Sequence, residues 1–209
     1  MRAPTNPEEV EFQNLWGPWA VLTPADAAGL LDGLGLTWWV AGGRAIDAFT
    51  GTAREHGDID VGMFREDIAD LRHALKGRLH IWSAGADGLR PVDDRFPEVA
   101  TSADQVWLRE NAHGPWLLDV LLNPRRDGMW VNRREPSIAV PLDEVTWVDA
   151  DGIRYLNPER VLGFKAKMMR PKDRHDMDRT LHLLDETRRG VLRAYLEDYH
   201  PGHEWLNLL

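Results

Sequence analysis

The stretch "WWVAGGRAIDAFTGTAREHGDIDVGMF", residues 38–64, decides the fold of this chain. It predicts a buried strand that ends at Gly42 and Gly43, followed by a short helix whose N-terminus sits on those glycines. In "GDIDVGMF" the two-residue period of a strand puts Asp58 and Asp60 on one face and the apolar residues on the other. Two carboxylates about 7 Å apart repel one another in a dry pocket, so the pair requires a chemical reason.

A divalent cation supplies that reason. Mg²⁺ prefers hard oxygen ligands, and when few carboxylates bind it, it keeps positions open for water and for substrate phosphates. Gly42 and Gly43 fit the same picture, because without side chains they let backbone N–H groups approach a phosphate at a helix N-terminus. Taken alone, a glycine pair is usually only a turn and an Asp-x-Asp on an edge strand is usually a solvated face.

The composition is that of an ordinary globular protein of 209 residues, 43% hydrophobic and 28% charged. No apolar run approaches the ~20 residues of a membrane span, and the N-terminus lacks the apolar middle of a signal peptide, so we expect a cytoplasmic protein without a membrane partner. The absence of cysteine excludes disulfides, thiol catalysis and thiolate metal sites. The formal net charge of -9 argues against DNA and other nonspecific nucleic-acid partners, which require a basic face.

The periodicity of the chain changes near residue 157. Before that point the patterns predict helices and short strands in alternation, including two strands paired through the turn "AHG". After it, apolar residues return every three or four positions, starting at a helix capped by Asn157 and Pro158. We therefore predict an α+β part over 1–155 and a helical part over 156–209, with a ligand cleft between them. The predicted elements are helices over 23–34, 44–49, 66–76, 157–169, 172–186 and 188–198, strands over 105–111 and 115–123, and loops with short edge strands over 84–105.

The order and spacing of these features carry a resemblance. "GGRAIDAFTGTAREHGDIDV", residues 42–61, resembles the signature of the nucleotidyltransferase superfamily, the DNA polymerase beta-like fold. The motifs "AREHGDIDV", "WLLDVLL", "YLNPE", "KAKMMRPKDRHD" and "HPGHEWL" narrow the resemblance to bacterial antibiotic nucleotidyltransferases of the aminoglycoside 2''-adenylyltransferase and lincosamide nucleotidyltransferase kind. The similarity runs from about residue 38 to the C-terminus.

The resemblance implies a mixed, mostly antiparallel sheet flanked by helices. It also implies an enzyme that transfers a nucleoside monophosphate, usually AMP from ATP, onto a hydroxyl with release of pyrophosphate. Asp58 and Asp60 would bind two Mg²⁺ ions that hold the triphosphate of ATP or another NTP. The third carboxylate of the superfamily corresponds to Asp119, as a metal ligand or as the general base. An aspartate among apolar residues is costly to bury without a charged partner, although exposure or an arginine partner is the alternative.

Positive groups are needed for the triphosphate and for the leaving pyrophosphate. Beside the glycines Gly42 and Gly43, the candidates are Arg54, Lys165 and Lys172, each of which could instead lie on a solvated face. Arg44 departs from the family, since many members carry serine or tryptophan there. Arginine at that position could bind phosphate or point to solvent.

The acceptor is the least determined part of the prediction. The leading hypothesis is a small hydroxylated molecule bound by a monomer or homodimer. A polycationic acceptor would suit acidic and aromatic side chains; the candidates are Asp93, Asp94, Glu98, Trp107, Trp116 and Trp130. The alternatives are a toxin-like or regulatory enzyme acting on a protein or tRNA, and an inactive nucleotide-binding module. A dinucleotide-binding oxidoreductase is excluded, because the third glycine and the ribose-binding acid are missing.

Overall fold

The computed structural model describes residues 4 and 7–209. Its helices are α1 (Pro7–Trp16), α2 (Pro24–Leu31), α3 (Gly42–Thr50), α4 (Ile68–Ala74), α5 (Leu142–Val145), α6 (Pro158–Ala166), α7 (Pro171–Leu181) and α8 (Glu186–Tyr199). Its strands are β1 (Trp38–Val40), β2 (Asp60–Phe64), β3 (His80–Gly85), β4 (Gly88–Pro91), β5 (Ala103–Arg109), β6 (Leu118–Asn123), β7 (Arg125–Arg126), β8 (Met129–Asn132), β9 (Glu135–Val140), β10 (Thr146–Val148) and β11 (Arg154–Leu156).

A mixed sheet of eight strands forms the centre of the molecule, in the order β10-β11-β1-β2-β6-β5-β3-β4. Only two of its neighbouring pairs, β11 with β1 and β2 with β6, are parallel. The remaining strands, β7, β8 and β9, form a small antiparallel sheet of their own. The predicted α+β class with a mostly antiparallel sheet is therefore confirmed.

The turn from β1 into α3 has the predicted order of strand, glycines and helix. Gly42 has a φ of +58°, which is readily adopted only by glycine, and it is the first residue of α3. The helix ends at Gly51, with a φ of +66°. The N–H of Ala41 donates to the carbonyl of Asp60 at 2.9 Å, so the turn is bonded directly to the start of β2.

One hydrophobic cluster runs through the sheet and the C-terminal helices. It contains Val40 from β1, Ile46 from α3, Leu162 from α6, Leu192 from α8 and Trp205 near the C-terminus, all at most 2% exposed. The predicted boundary at residues 155 and 156 falls inside β11, which pairs with β1 in the central sheet. The division into two domains stays a prediction.

Helix α1 is the main element that the sequence patterns do not indicate. It packs on the sheet through Phe12, whose ring lies 5.7 Å from that of Trp107. Behind it, the indole N–H of Trp116 donates to the carbonyl of Trp16 at 2.7 Å. Trp19 joins the same cluster, 5.2 Å from Trp107 between ring centroids. Across the described residues, no helix is both long and apolar enough to span a membrane.

Candidate active site

A cleft of about 780 Å³ brings the predicted residues together. It is lined by all three carboxylates, Asp58, Asp60 and Asp119, although Asp119 is far from the others in sequence. Predicted phosphate-binding residues that also line this cleft are Gly43, Arg54, Lys165 and Lys172. The sheet, the segment before β2 and the start of α7 thus contribute to one site.

The parallel pairing of β2 with β6 places the carboxylates side by side. Asp60 and Asp119 are direct partners in the register, so their side chains leave the sheet on the same face. The N–H of Asp119 donates to the carbonyl of Ile59 at 3.2 Å, which fixes this register beside the cleft. Ile59 is fully buried, while Asp58 and Asp60 on either side of it line the cleft, as the alternation predicted.

The crowding of these carboxylates changes their acidity. Burial, and then the charge of Asp58, raise the pKa of Asp60 to about 6, against the opposing charges of lysines and an arginine nearby. Burial, followed by the charges of Asp60 and Asp58, raises the pKa of Asp119 well above its ordinary value. Asp119 is only 8% exposed, and its Oδ1 is buried without a hydrogen-bond partner in the described residues. Among the described residues, none of the three carboxylates forms an ion pair, and the cations nearby offset their charge only in part.

The glycine pair leaves room for the side chains of the site. A Cβ at Gly42 would stand 2.8 Å from Cγ of Asp60 and closer still to its Oδ2. A Cβ at Gly43 would stand 2.9 Å from Cζ of Arg54 and 2.5 Å from Cε1 of His56. Both glycines are thus required for close approach, which adds to the role in phosphate binding that the sequence predicts for them.

Arg54 is held by an aspartate that sequence reasoning missed. Its Nε and Nη2 donate to the two carboxylate oxygens of Asp176 at 2.9 and 3.0 Å, a bidentate pair that joins the segment before β2 to α7. Asp176 is completely buried. Burial would raise the pKa of Asp176, but the hydrogen bonds from Arg54 and the charge of Lys165 outweigh it and lower that pKa to about 2.

His56 is fixed in one neutral form by its two neighbours. Nη1 of Arg54 lies 3.2 Å from Nδ1 of His56 and can only donate, so Nδ1 is the unprotonated nitrogen. Nε2 then carries the proton and donates to Oδ2 of Asp47 at 2.6 Å. Burial and the charge of Arg54 lower the pKa of His56 despite the Asp47 carboxylate. His56 therefore connects the Arg54 side chain to Asp47 of α3.

Lys165 and Lys172 differ in how firmly ion pairs hold them in the cleft. Nζ of Lys165 lies 3.0 Å from carboxylate oxygens of both Asp173 and Asp176, so two aspartates of α7 fix its position at the wall of the cleft. Lys172 is exposed at the edge of the cleft, and partial removal from water, together with the charge of Arg170, lowers its pKa. Asp173 and Asp176 could have been noticed in "KDRHD", where their i, i+3 spacing places them on one helix face.

Arg44 points away from the cleft. Its Nη2 donates to the carbonyl of Leu22 at 2.9 Å, so it anchors the segment before α2 and is not among the described residues that line the cleft. The structure thus separates Arg44 from the residues predicted to bind the nucleotide with it. Arg44 is partly exposed, and its role in binding the nucleotide stays a prediction.

The acidic and aromatic residues predicted for the acceptor also lie elsewhere. Asp94 pairs with Arg72 on the surface, and Trp116 and Trp130 are buried in the interior. None of the six predicted residues lines the described cleft; instead, Phe12 and Trp19 supply its aromatic wall. The sequence patterns missed this wall because its residues belong to α1 and the segment that follows it.

The donor set suits Mg²⁺, although the described residues hold no ready-made cage of three His, Asp or Glu ligands. Mg²⁺ is usually bound by one or two carboxylates together with substrate phosphates and water, so a complete protein cage is not required. The buried, unpartnered Oδ1 of Asp119 and the neighbouring carboxylate of Asp60 are hard anionic oxygens of the type that this ion prefers. The residues present therefore fit the ion that the sequence predicts.

Comparison with known proteins agrees with this geometry. Residues 25–93 match the model of the family described as aminoglycoside-2''-adenylyltransferase. A crystal structure of ANT(2'')-Ia in complex with adenylyl-2''-tobramycin superposes with a TM-score of 0.53 at 17% identity, covering 85% of this chain and 95% of that one. A crystal structure of the lincosamide antibiotic adenylyltransferase LnuA, lincomycin-bound, gives a TM-score of 0.52 at 19% identity, covering 78% and 96%.

The curated protein sequences include no significant match to the chain. At these identities the two solved structures establish the shared fold. The family model, over residues 25–93, confirms the predicted resemblance to aminoglycoside 2''-adenylyltransferases, and the fold is also that of a lincosamide adenylyltransferase.

Proposed function

We propose that this chain is a nucleotidyltransferase that moves a nucleoside monophosphate, in the simplest case AMP from ATP, onto a hydroxyl of a small acceptor. The observation that carries the proposal is the side-by-side placement of Asp60 and Asp119, with an unpartnered buried oxygen on Asp119, in a cleft that also holds Arg54 and Lys172. The matched family and both solved structures described above are adenylyltransferases, which supports an enzyme of this type.

Asp58, Asp60 and Asp119 are the residues that would hold Mg²⁺. When bound, the ion supplies positive charge that offsets the repulsion of these carboxylates and polarises the phosphate to be attacked. Two ions, as the resemblance implies, would match the number of carboxylates better than one.

The remaining chemistry belongs to side chains of this protein. Where Asp119 is not a metal ligand, it acts as general base and takes the proton of the acceptor hydroxyl as the hydroxyl oxygen attacks the α-phosphorus. The bond from the α-phosphorus to the bridging oxygen breaks, and pyrophosphate leaves. Arg54 and Lys172 stabilise the negative charge that moves onto the leaving group.

The acceptor binds where Phe12 and Trp19 form the wall of the cleft. Flat aromatic faces suit the apolar face of a sugar or cyclitol ring. By analogy with the tobramycin and lincomycin named for the two solved structures, we propose an aminoglycoside-like or lincosamide-like compound as the acceptor. A role in drug resistance follows only if such compounds are modified.

The proposal is tested by pyrophosphate release from the purified protein with Mg²⁺, each NTP in turn, and a panel of aminoglycosides, lincosamides and aminocyclitols. We expect release that depends on the acceptor and is lost in Asp60→Asn. The matched control is Asp70→Asn, which changes an exposed carboxylate of α4 outside the cleft. ATP binding without release across the panel would redirect the search to protein or RNA acceptors, and absence of ATP binding would favour an inactive module.

A further inference from the structure

A second cavity, of about 190 Å³, adjoins the carboxylates Asp60 and Asp119. Asp60 and Asp119 belong to its walls as well as to those of the main cleft. The cavity continues along the same face of the sheet, where Gly62 follows Asp60 and Leu121 follows Asp119 at the strand period of two. A reactant held at the carboxylates can therefore extend into this cavity.

Two consecutive arginines, Arg133 and Arg134, line this second cavity from the turn between β8 and β9. Nη1 of Arg133 donates to the backbone carbonyl of Asp104 at 3.3 Å, and Arg134 donates to the carbonyl of Phe164. Both guanidinium carbons lie near the ring of Phe164, at 5.9 and 5.2 Å from its centroid. These contacts fix the positions of the two side chains without an ion pair, although the charge of Arg133 acts on Asp60 and Asp119 and opposes the rise of their pKa values.

The lack of a direct partner distinguishes Arg133 and Arg134 from the arginines of the main cleft. Arg54 and Arg170 each form an ion pair with an aspartate of α7. In the described part of the chain, neither Arg133 nor Arg134 has a carboxylate oxygen within 4.0 Å of its guanidinium. Arg134 is exposed at the mouth of the cavity, and partial removal from water, followed by the charge of Arg133, lowers its pKa.

We propose that Arg133 and Arg134 form a binding site for an anionic group, phosphate or carboxylate, on a reactant held at Asp60 and Asp119. The proposal rests on the proposed function, because the carboxylates define where the reactant sits. Paired guanidiniums present several N–H donors in a fixed plane, which matches the oxygens of both groups. The anion belongs either to the phosphates of the nucleotide or to an acid group on the acceptor, and the second case would replace the aminoglycoside-like acceptor with an acidic one.

The test measures binding to the protein by titration calorimetry. ATP and pyrophosphate are each titrated in the presence of Mg²⁺. In a third titration, inorganic phosphate is added to protein already loaded with ATP. The variants are Arg133→Gln and Arg134→Gln, with Arg133→Lys as the variant that keeps the charge. Arg126→Gln is the matched control, because Arg126 is exposed in the same small sheet and does not line the cavity.

We expect each glutamine variant to weaken the binding of the anion by about 10-fold or more, and Arg126→Gln to leave it unchanged. Weaker binding of ATP and pyrophosphate would assign the site to the nucleotide. Normal ATP binding with weaker binding of inorganic phosphate to the loaded protein would assign it to an acid group of the acceptor. Unchanged binding of all three probes in both variants would overturn the proposal.

The two proposals fail in distinguishable ways. A wild-type protein that binds no ATP contradicts the proposed function, whereas intact ATP binding and turnover in both glutamine variants, with phosphate binding unaffected, contradicts only the role of Arg133 and Arg134.

Discussion

At the scale of single residues, Asp60 and Asp119 occupy positions where a negative charge destabilises the folded protein. Each carboxylate is close to the other and partly or wholly removed from water, so the folded protein holds their protons more tightly than the unfolded chain does. The binding of a cation would relieve that cost, and residues that destabilise a fold for the sake of a site are typical of enzymes.

The first prediction concerns the dependence of stability on pH. Because the pKa of Asp60 rises from 3.8 to about 6 on folding, its contribution to stability falls as the pH rises through that interval. Without metal, Asp60→Asn should therefore melt higher than the wild type at pH 7.5, by roughly 6 °C or more, and the difference should shrink towards pH 4. Scanning calorimetry at both pH values checks this, and a difference independent of pH would contradict it.

A second prediction concerns Gly42. Gly42→Ala introduces a Cβ that overlaps the carboxylate of Asp60, at a φ of +58° that alanine rarely adopts. Displacing a catalytic carboxylate by about 1 Å is expected to lower kcat/KM by on the order of 100-fold. Gly29→Ala is the control, since its Cβ meets nothing within 4 Å in α2. It should retain full activity and gain about 0.5–1 kcal/mol in stability. Equal activity of the two variants would refute the close-approach role.

The sequence predicted the residues at the centre of the candidate site better than those at its edges. Asp58, Asp60 and Asp119 come together because strand alternation and the superfamily pattern specify their faces. The direction of Arg44 depends instead on a carbonyl 22 residues away in sequence, that of Leu22, which no local pattern indicates. Arg133 was not predicted either. It lies in a turn, and a turn has no periodicity that would indicate where a side chain points.

At the scale of elements, α7 acts as the counter-charge of the site. Its buried Asp173 and Asp176 hold Lys165, and Asp176 also holds Arg54 and Arg179. Arg179 extends the network to Asp47 on α3 at 2.5 Å, so the ion pairs connect α3, the segment before β2, α6 and α7. The carboxylates of α7 thus hold Lys165 and Arg54 in position at the cleft.

The third prediction tests this network. Asp176→Asn removes the charge that three cations share, and breaking a buried ion pair on one side typically costs about 3–5 kcal/mol. Because the folded pKa of Asp176 is lowered to about 2, its contribution is fully present above pH 3.8 and is lost as the pH falls towards 2. Urea unfolding at pH 7 should show the loss, while Asp178→Asn, at an exposed position on the same helix, should change stability little. Equal stabilities of the two variants would contradict the assignment.

Helices and strands with a strong hydrophobic periodicity were predicted. Elements that form through contacts with residues distant in sequence were not. The helix predicted over 172–186 is observed as Pro171–Leu181, and the next helix begins at Glu186 rather than at 188. Helix α1 has a weakly amphipathic sequence, because its docking depends mainly on Phe12 meeting Trp107 of a strand far along the chain. The short strands β10 and β11 are likewise defined by pairing across the sheet, which a local pattern does not contain.

At the scale of the whole molecule, the helical part completes the core of the sheet. Buried side chains of α6 and α8 belong to the same hydrophobic cluster as β1 and α3, and β11 sits between β1 and β10. Lys165 and Lys172, which lie beyond the predicted boundary, are needed in the cleft with residues before it. Residues of both predicted parts therefore form the site.

The fourth prediction is that the two parts do not fold separately. A fragment of residues 1–155 lacks Leu156, Leu162 and Leu192 of the common core, so it should have no cooperative thermal transition. The full chain should unfold in a single transition, observed equally by circular dichroism and by tryptophan fluorescence. A fragment that melts cooperatively near the temperature of the full chain would support two independent domains instead.

The central claim is the transfer of a nucleoside monophosphate at Asp60 and Asp119, and the most direct measurement follows the label of the nucleotide. Wild-type protein and Asp119→Asn are incubated with Mg²⁺, an acceptor from the panel, and ATP labelled at either the α- or the γ-phosphate. The account predicts that the acceptor gains the α-label, never the γ-label, and that Asp119→Asn binds ATP but transfers at least about 1000-fold more slowly. Transfer of the γ-label, or full activity in Asp119→Asn, would contradict it.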